Sequence, residues 1–458
     1  MTGTHSLLSY RLAGRISQRE AILTAFLSAE QDRIVNAGLD MARAFERGGK
    51  LIAFGTGSAE ADAHRIAAEL RHPASPEQRA LPAVALGHAP DDAARLTALA
   101  GPHDIALGLT HSHWTPGTEA FLTTAEALGL LGVACGAAAS SPSRSLAYSL
   151  DHALIVPSDD PFVAQEVQTT IHHVLWELIQ VFFEHLDWRE DRCVSGGDLA
   201  FTGRVIALSN GVATIETRGF TEEVAVDRID RIAVDDLLLC HAGVALRNLS
   251  FVRVPPAHEP ASLPLPLPGG GDGRLGPAFA IVRDSMLRAG EEASALRRGI
   301  DLSALERCAA TVRDRLHRGG RVITFGSPCA SAGALDVWTD FVGYGWPALS
   351  LTRDPATTGD ADGAGEAILA ERLRSFGQGE DIALAIITSS ASVDVLAALE
   401  EARTRRLLTC VIAGNDGSGL AECDWIDHLF TVSSDSTARI QEVLATIHHL
   451  LLETIGER

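Results

Sequence analysis

Basic residues are scarce in this chain. Its 458 residues include 38 lysines and arginines against 59 aspartates and glutamates, a formal net charge of -21. A protein that neutralises nucleic-acid phosphates needs a basic surface, so nucleic acid is not an expected partner. Long apolar runs are also missing. No stretch offers the roughly 20 consecutive apolar residues that cross a bilayer, and the opening MTGTHSLLSYRLAGRISQRE has no apolar core of signal-peptide length. A cytoplasmic protein without a membrane partner is therefore expected. The seven cysteines, an odd set with no Cys-x-x-Cys spacing, indicate neither a disulfide framework nor a zinc ribbon. Most of them are expected to be small core residues.

What is present is an ordinary globular composition, 46% hydrophobic and 21% charged, enough to build several cores. At roughly 100 to 200 residues per domain, the length implies two to four domains. Self-similarity locates them. Gly48 to Gly55 reads GGKLIAFG and Gly319 to Gly326 reads GGRVITFG, each a glycine turn, an aliphatic strand and a glycine at the next sharp turn. DIALGLTHS from Asp104 and DIALAIITSS from Asp381 are aliphatic strands of the kind buried in parallel sheets, running into hydroxyl-rich loops. AQEVQTTIHHVLWEL from Ala164 and IQEVLATIHHLLLET from Ile440 are long helices sharing Gln-Glu-Val and Ile-His-His. Strands alternating with helices imply a doubly wound parallel sheet in each copy, with ligands at the carboxyl ends of the strands.

Between the copies the pattern changes to short strands. RVIAL, Ser209-Asn210-Gly211 and VATIETR read as a hairpin about an Asn-Gly turn, followed by EEVAVDRI and DDLLLCHAG. The run PPAHEPASLPLPLPGGGDG from Pro255 reads as a semi-rigid linker.

At their glycine and hydroxyl loops the outer segments resemble the sugar isomerase (SIS) family, closest to its phosphoheptose isomerase branch. The resemblance covers roughly Leu8 to His185 and Ala278 to the C-terminus. It implies a phosphate cradle at a helix N-terminus, offered by Thr110, Ser112 and Thr115 in the first copy and by Thr388, Ser389, Ser390 and Ser392 in the second. The bulky His111, His113 and Trp114 make the first cradle the poorer one. It also implies a His-x-x-x-Glu pair which, with a Gln and a His of the C-terminal helix, binds a divalent metal and moves a proton between adjacent carbons. In the first copy Glu69 holds the glutamate position, Arg65 the histidine position, and His64 points about 100° away on a helix. In the second copy these two positions are Asp336 and Asp340. The C-terminal helix supplies Gln165 and His173 in one copy, Gln441 and His449 in the other. Glu69, His173, Asp340 and His449 are thus the candidate catalytic residues. A cation at Arg65 would repel a metal in the first copy, whereas Asp336, Asp340, Gln441 and His449 form a candidate set for a divalent metal in the second. The glycine loops depart from the branch's Gly-Asn-Gly-Gly-Ser, reading Gly55-Thr56-Gly57-Ser58 and Gly326-Ser327-Pro328-Cys329.

The middle segment, about Cys193 to Leu249, resembles the HypC/HupF family of small barrels that help carry iron with its cyanide and carbonyl ligands to the nickel-iron hydrogenase large subunit. The resemblance rests on Cys193 ahead of the first strand and on His241-Ala242-Gly243-Val244-Ala245 at the end of the barrel. It implies iron at Cys193 and His241, since a thiolate is a natural ligand for iron bearing π-acid ligands and an imidazole can complete the site. Cys193 is internal here, whereas the family's cysteine is N-terminal. Cys240, within the run LLLC, reads as core.

The expected fold is thus α/β: two doubly wound parallel-sheet SIS domains, 1–190 and 275–458, with a small all-β, OB-like barrel at 191–254 and a Pro/Gly linker at 255–274. The SIS copies are expected to pair through their long helices, and a two-fold homo-oligomer of the whole chain is expected. The expected role is an accessory factor in nickel-iron hydrogenase maturation, with a hydrogenase large subunit or other maturation proteins as partners and a phosphosugar-like anion as ligand. The alternatives are an aldose-ketose phosphosugar isomerase and a phosphosugar-responsive scaffold without chemistry.

Overall fold

The computed structural model describes residues 7–73, 78–87, 92–138, 150–186, 201–209, 212–217, 220–226, 232–241, 244–248, 276–326, 330–351, 368–388, 392–415 and 419–457. The linker at 255–274 lies outside them. The first copy runs α1 (Leu7–Glu46), β1 (Leu51–Gly55), α2 (Ser58–Arg71), β2 (Ala83–Leu86), α3 (Asp92–Leu99), β3 (Ile105–Leu109), α4 (Pro116–Ala127), β4 (Leu131–Ala137), β5 (His152–Val156) and α5 (Pro161–Leu186). Its strands form a wholly parallel sheet in the order β2-β1-β3-β4-β5. β1 and β3 are buried along their whole length, which is why they read as unbroken aliphatic runs.

The middle segment contributes β6 (Phe201–Ser209), β7 (Val212–Thr217), β8 (Phe220–Ala225), β9 (Leu237–His241) and β10 (Val244–Asn248). They close into a barrel in the order β10-β8-β7-β6-β9 about a small core that includes Val205, Ala213, Ile215, Val224 and Leu238. All neighbours are antiparallel except β8 and β10, which meet in parallel. Residues 188–272 form a compact unit of their own.

The second copy runs α6 (Gly276–Arg298), α7 (Leu302–His317), β11 (Val322–Gly326), α8 (Ser331–Gly343), β12 (Ala348–Ser350), α9 (Ile368–Phe376), β13 (Ile382–Ile387), α10 (Val393–Thr404), β14 (Leu408–Gly414), β15 (His428–Val432) and α11 (Thr437–Gly456). Its parallel sheet, β12-β11-β13-β14-β15, repeats the order of the first. The repeated motifs have matching structural duties. Asp104 accepts a hydrogen bond from the Lys50 amide at 2.9 Å, and Asp381 accepts one from the Arg321 amide at 3.0 Å, tying the starts of adjacent strands. A Cβ on Gly55 would stand 2.2 Å from the Ala59 carbonyl oxygen, and one on Gly326 would stand 2.8 Å from that of Ile386. Each sheet can therefore turn into its next helix only at glycine.

The two SIS copies, expected to pair through their long helices, form one compact unit of residues 1–187 and 273–458. The reason is an exchange of helices. Leu12 and Ile16 of α1, with Phe162 of α5, belong to the core of the second copy, while Met286 and Ala289 of α6 belong to that of the first. Neither core is complete without the other copy's chain.

Candidate functional site

Helices α2 and α5 of the first copy and α8 and α11 of the second bring their polar residues together inside this unit. Glu166 is only 1% exposed. Its Oε1 accepts hydrogen bonds from Arg19 Nε at 2.9 Å and His449 Nδ1 at 2.8 Å, and its Oε2 accepts one from Thr446 Oγ1 at 2.7 Å. Glu442, at the equivalent place in the second copy, stands 2.8 Å from His173 Nδ1 and takes Arg439 Nη1 at 3.0 Å. Each copy thus supplies the carboxylate that orients the other copy's histidine. The outer nitrogens of those histidines turn to their own copy's acids. His173 Nε2 lies 3.7 Å from Glu69 Oε2, and His449 Nε2 lies 3.4 Å from Asp340 Oδ2 with no hydrogen-bond partner. The adjacent His172 and His448 bond the same acids, at 2.7 and 2.9 Å. Phe162 of the first copy stacks on His449 with ring centroids 4.2 Å apart.

The charges follow from this packing. Burial opposes protonation of His449, but the carboxylates of Asp340 and Glu166 on either side outweigh it and raise its pKa to about 9. His448 is lowered by burial and by the charge on His449. Burial would raise Asp340, and its two imidazole neighbours hold it instead at about 2. Burial would likewise raise Glu69, which Arg65 and His172 bring down to about 2.

The residues named from sequence fall as follows. Glu69 and His173 come together, as do Asp340 and His449. Gln441, expected beside Asp340, instead places Oε1 3.0 Å from His173 Nε2 in the first copy, because the two C-terminal helices face each other across the copy boundary. Asp336 faces Arg65, with 3.8 Å between Oδ2 and Nε. Gln165 is buried beside them. Thr110 donates its hydroxyl to the His113 carbonyl at 2.8 Å, and Thr115 and Ser392 accept from backbone amides as the N-caps of α4 and α10. Ser112 is exposed and Thr388 buried. Ser389, Ser390 and Cys193 lie outside the described residues, and so does Cys329 of the second glycine loop. His241 ends β9, with its backbone paired to Val244 of β10.

Sequence reasoning missed Asp62, Glu166, Glu442, His172 and His448. For Glu166 and Glu442 the shared Gln-Glu-Val of both copies was the available signal.

Two groups among the described residues bring ligand atoms within 4.8 Å of one another: Glu69, His172 and His173, and Asp340, His448 and His449. Two imidazoles and a carboxylate suit a divalent transition metal. In the second group His449 Nε2 has no hydrogen-bond partner and would ligate on losing its proton. In the first, Arg65 Nη1 stands 3.6 Å from Glu69 Oε1 and opposes a cation.

The SIS domain family model matches residues 16–113, and the HupF/HypC family model matches residues 199–252. The phosphoheptose isomerase of Paramagnetospirillum magneticum is 32% identical over 188 residues, 39% of this chain and 95% of that protein. That of Solidesulfovibrio magneticus is 33% identical over 159 residues, 33% of this chain and 76% of that protein. The C-terminal domain of glucosamine-fructose-6-phosphate aminotransferase from Francisella tularensis shares the fold at 10% identity with a TM-score of 0.51, covering 94% of this chain and 93% of that one. No helix among the described residues is long and apolar enough to cross a membrane.

A group whose pKa is raised by folding stabilises most below its unfolded value and loses that contribution as the pH rises through the folded one. For His449 the loss falls between about 6.5 and about 9. Melting temperatures measured across that range should decline in the wild type and decline less in His449→Gln; equal slopes would place the charge elsewhere.

Proposed function

Because the chain belongs to the SIS family on its phosphoheptose isomerase side and carries a HupF/HypC domain between its two SIS copies, we propose that it is an accessory factor in nickel-iron hydrogenase maturation. The HupF/HypC match over residues 199–252 carries this reading. In it the barrel, of the OB-like kind, docks a hydrogenase large subunit or another maturation protein and handles iron as cargo, using the Cys193 thiolate with His241 beside it. Strand pairing supports the juxtaposition. Phe201 at the start of β6 pairs with Cys240, the neighbour of His241, so the chain arriving from Cys193 enters the barrel next to the end of β9. The SIS pair serves as the ligand-binding frame for a phosphosugar or similar anion.

Aldose-ketose isomerisation is the second reading, favoured by the identity of the curated relatives and by the meeting of Asp340 with His449. Under it Asp340, His448 and His449 would hold a divalent metal that polarises the substrate carbonyl. Asp340 would move the proton between adjacent carbons, while Glu166 keeps the His449 proton on Nδ1 and leaves Nε2 to the metal. The first copy, with Arg65 against Glu69, lacks that option.

In cells assembling a nickel-iron hydrogenase, Cys193→Ala should block maturation and lose iron from anaerobically purified protein, while Cys240→Ala should not. Equal maturation by wild type and Cys193→Ala would reduce the barrel to a spacer. With sedoheptulose 7-phosphate and added divalent metal the wild type should show little or no turnover. Turnover matching a phosphoheptose isomerase, and abolished by Asp340→Ala, would transfer the function to the second reading.

A further inference from the structure

A narrow gap lies inside the first copy, between α5 on one side and α1, α2 and the sheet on the other. Its α5 wall runs from Gln168 to Ile179, about 16 Å at the rise of an α-helix. Counting its mouth the gap measures about 490 Å3, and most of its lining is hydrocarbon, including Ile66, Leu70, Leu107 and Leu175. The charged groups at its Gln168 end are tied to their neighbours. Arg65 Nη2 bonds Asp62 Oδ1 at 2.6 Å and Thr169 Oγ1 at 3.2 Å, and His172 bonds Glu69. Two uncharged polar groups are left over. Gln168, 5% exposed, donates Nε2 to the Thr110 carbonyl at 2.8 Å, which fixes its amide and leaves Oε1 without a partner. Trp176, 9% exposed, has no partner for its indole N–H.

The repeat shows the same core built without them. Aligning Gln165 with Gln441 sets Gln168 against Leu444 and Trp176 against Leu452, and aligning Gly55 with Gly326 sets Leu70 against Phe341. The matching registers of β3 with β4 and of β13 with β14 set Cys135 against Ile412. All four second-copy residues belong to one hydrophobic core. One copy therefore fills this place with hydrocarbon alone, while the other keeps two polar groups and the smaller Leu70 and Cys135 around a gap. Buried polar groups in native proteins are normally satisfied, by protein, water or ligand. A water molecule needs several polar partners, more than the apolar stretch of this lining offers. A guest that is apolar for most of its length needs only one. A charged guest would lose its water without gaining a counter-ion, because the charges nearby are already paired.

We propose that this gap is a binding site for a slender, uncharged and mostly apolar molecule bearing a hydroxyl or carbonyl oxygen, which accepts the Trp176 N–H, and that Gln168 Oε1 takes a donor from the same guest. The site stands apart from both functional readings above, since neither Gln168 nor Trp176 belongs to the imidazole and carboxylate groups or to the barrel.

NMR titration of the full-length protein with n-butanol and with n-pentane, molecules of nearly the same shape that differ by one hydroxyl, tests it. The methyl signals of Leu107 and Leu175 report binding in every variant. In a gap without a hydrogen-bond partner the alcohol would be the weaker binder, because its hydroxyl would lose water uncompensated. Here n-butanol should bind about three- to tenfold more tightly than n-pentane, the worth of a neutral hydrogen bond. Trp176→Phe, which removes the N–H and keeps an aromatic ring, should reverse that order. Cys135→Ile, which puts the second copy's own side chain into the gap, should bind neither probe and melt no lower than the wild type. The site would be overturned by n-pentane binding the wild type as tightly as n-butanol, by an unchanged order in Trp176→Phe, by binding retained in Cys135→Ile, or by no binding of either probe.

Discussion

Glu166 carries its charge where water does not reach, and every part of the surrounding structure answers to that. An isolated carboxylate in such a place would cost several kcal/mol and would be neutralised unless matched by donors of good geometry. Arg19 comes from the first copy's α1, His449 and Thr446 from the second copy's α11, and Arg297 of α6 stands 3.9 Å away. Pulling the copies apart would strand this carboxylate and, through His173, its counterpart Glu442. The helix exchange supplies the apolar reason for one body. The buried acids supply the reason that its register is unique, because a shift of one turn in α11 would leave each histidine facing the wrong group.

Symmetry explains where the chemistry diverged. In a homodimer the residues on either side of a two-fold axis are obliged to be the same, so a charge near the axis meets its own kind. Joining two copies in one chain removes that restriction. Arg65 and Asp336, equivalent in the repeat, lie 3.8 Å apart here, whereas two arginines facing each other across an axis would repel. The same freedom lets His111 stand in one half where Thr388 stands in the other. The outcome keeps the orienting carboxylates and the paired histidines in duplicate but makes their surroundings unequal: a guanidinium beside Glu69, an unopposed histidine nitrogen beside Asp340.

The sheets were legible because burial on both faces leaves a strand no choice but aliphatic residues, and because the glycines at Gly55 and Gly326 stand where a carbonyl leaves no room for Cβ. The helix that carries Gln-Glu-Val and Ile-His-His was equally clear. Pairing of the copies through these helices was expected, but the side-chain partners across the boundary were not. Helical spacing tells which residues share a face, and it placed His173 and His449 with the acids of their own copies. It has no term for the element on the other side, which is why Gln441 was assigned to Asp340 although it reaches His173, and why Glu166 passed as one more polar residue in an apolar helix. The closed barrel was legible in its strands and turn. The approach of its entry to the end of β9 follows from register, which strand pattern alone leaves open.

The most direct test is a double-mutant cycle between Glu166 and His449, residues of different copies separated by 283 positions in sequence. The unfolding free energies of wild type, Glu166→Gln, His449→Gln and the double variant give their coupling. A buried, charged hydrogen bond spanning the copies predicts a coupling of about 1.5 to 3 kcal/mol, with each single variant also weakening the other copy's half of the unit. Additive effects, within about 0.5 kcal/mol, would mean that the copies are held by their apolar cores alone and that the paired carboxylates and histidines are not the link between them.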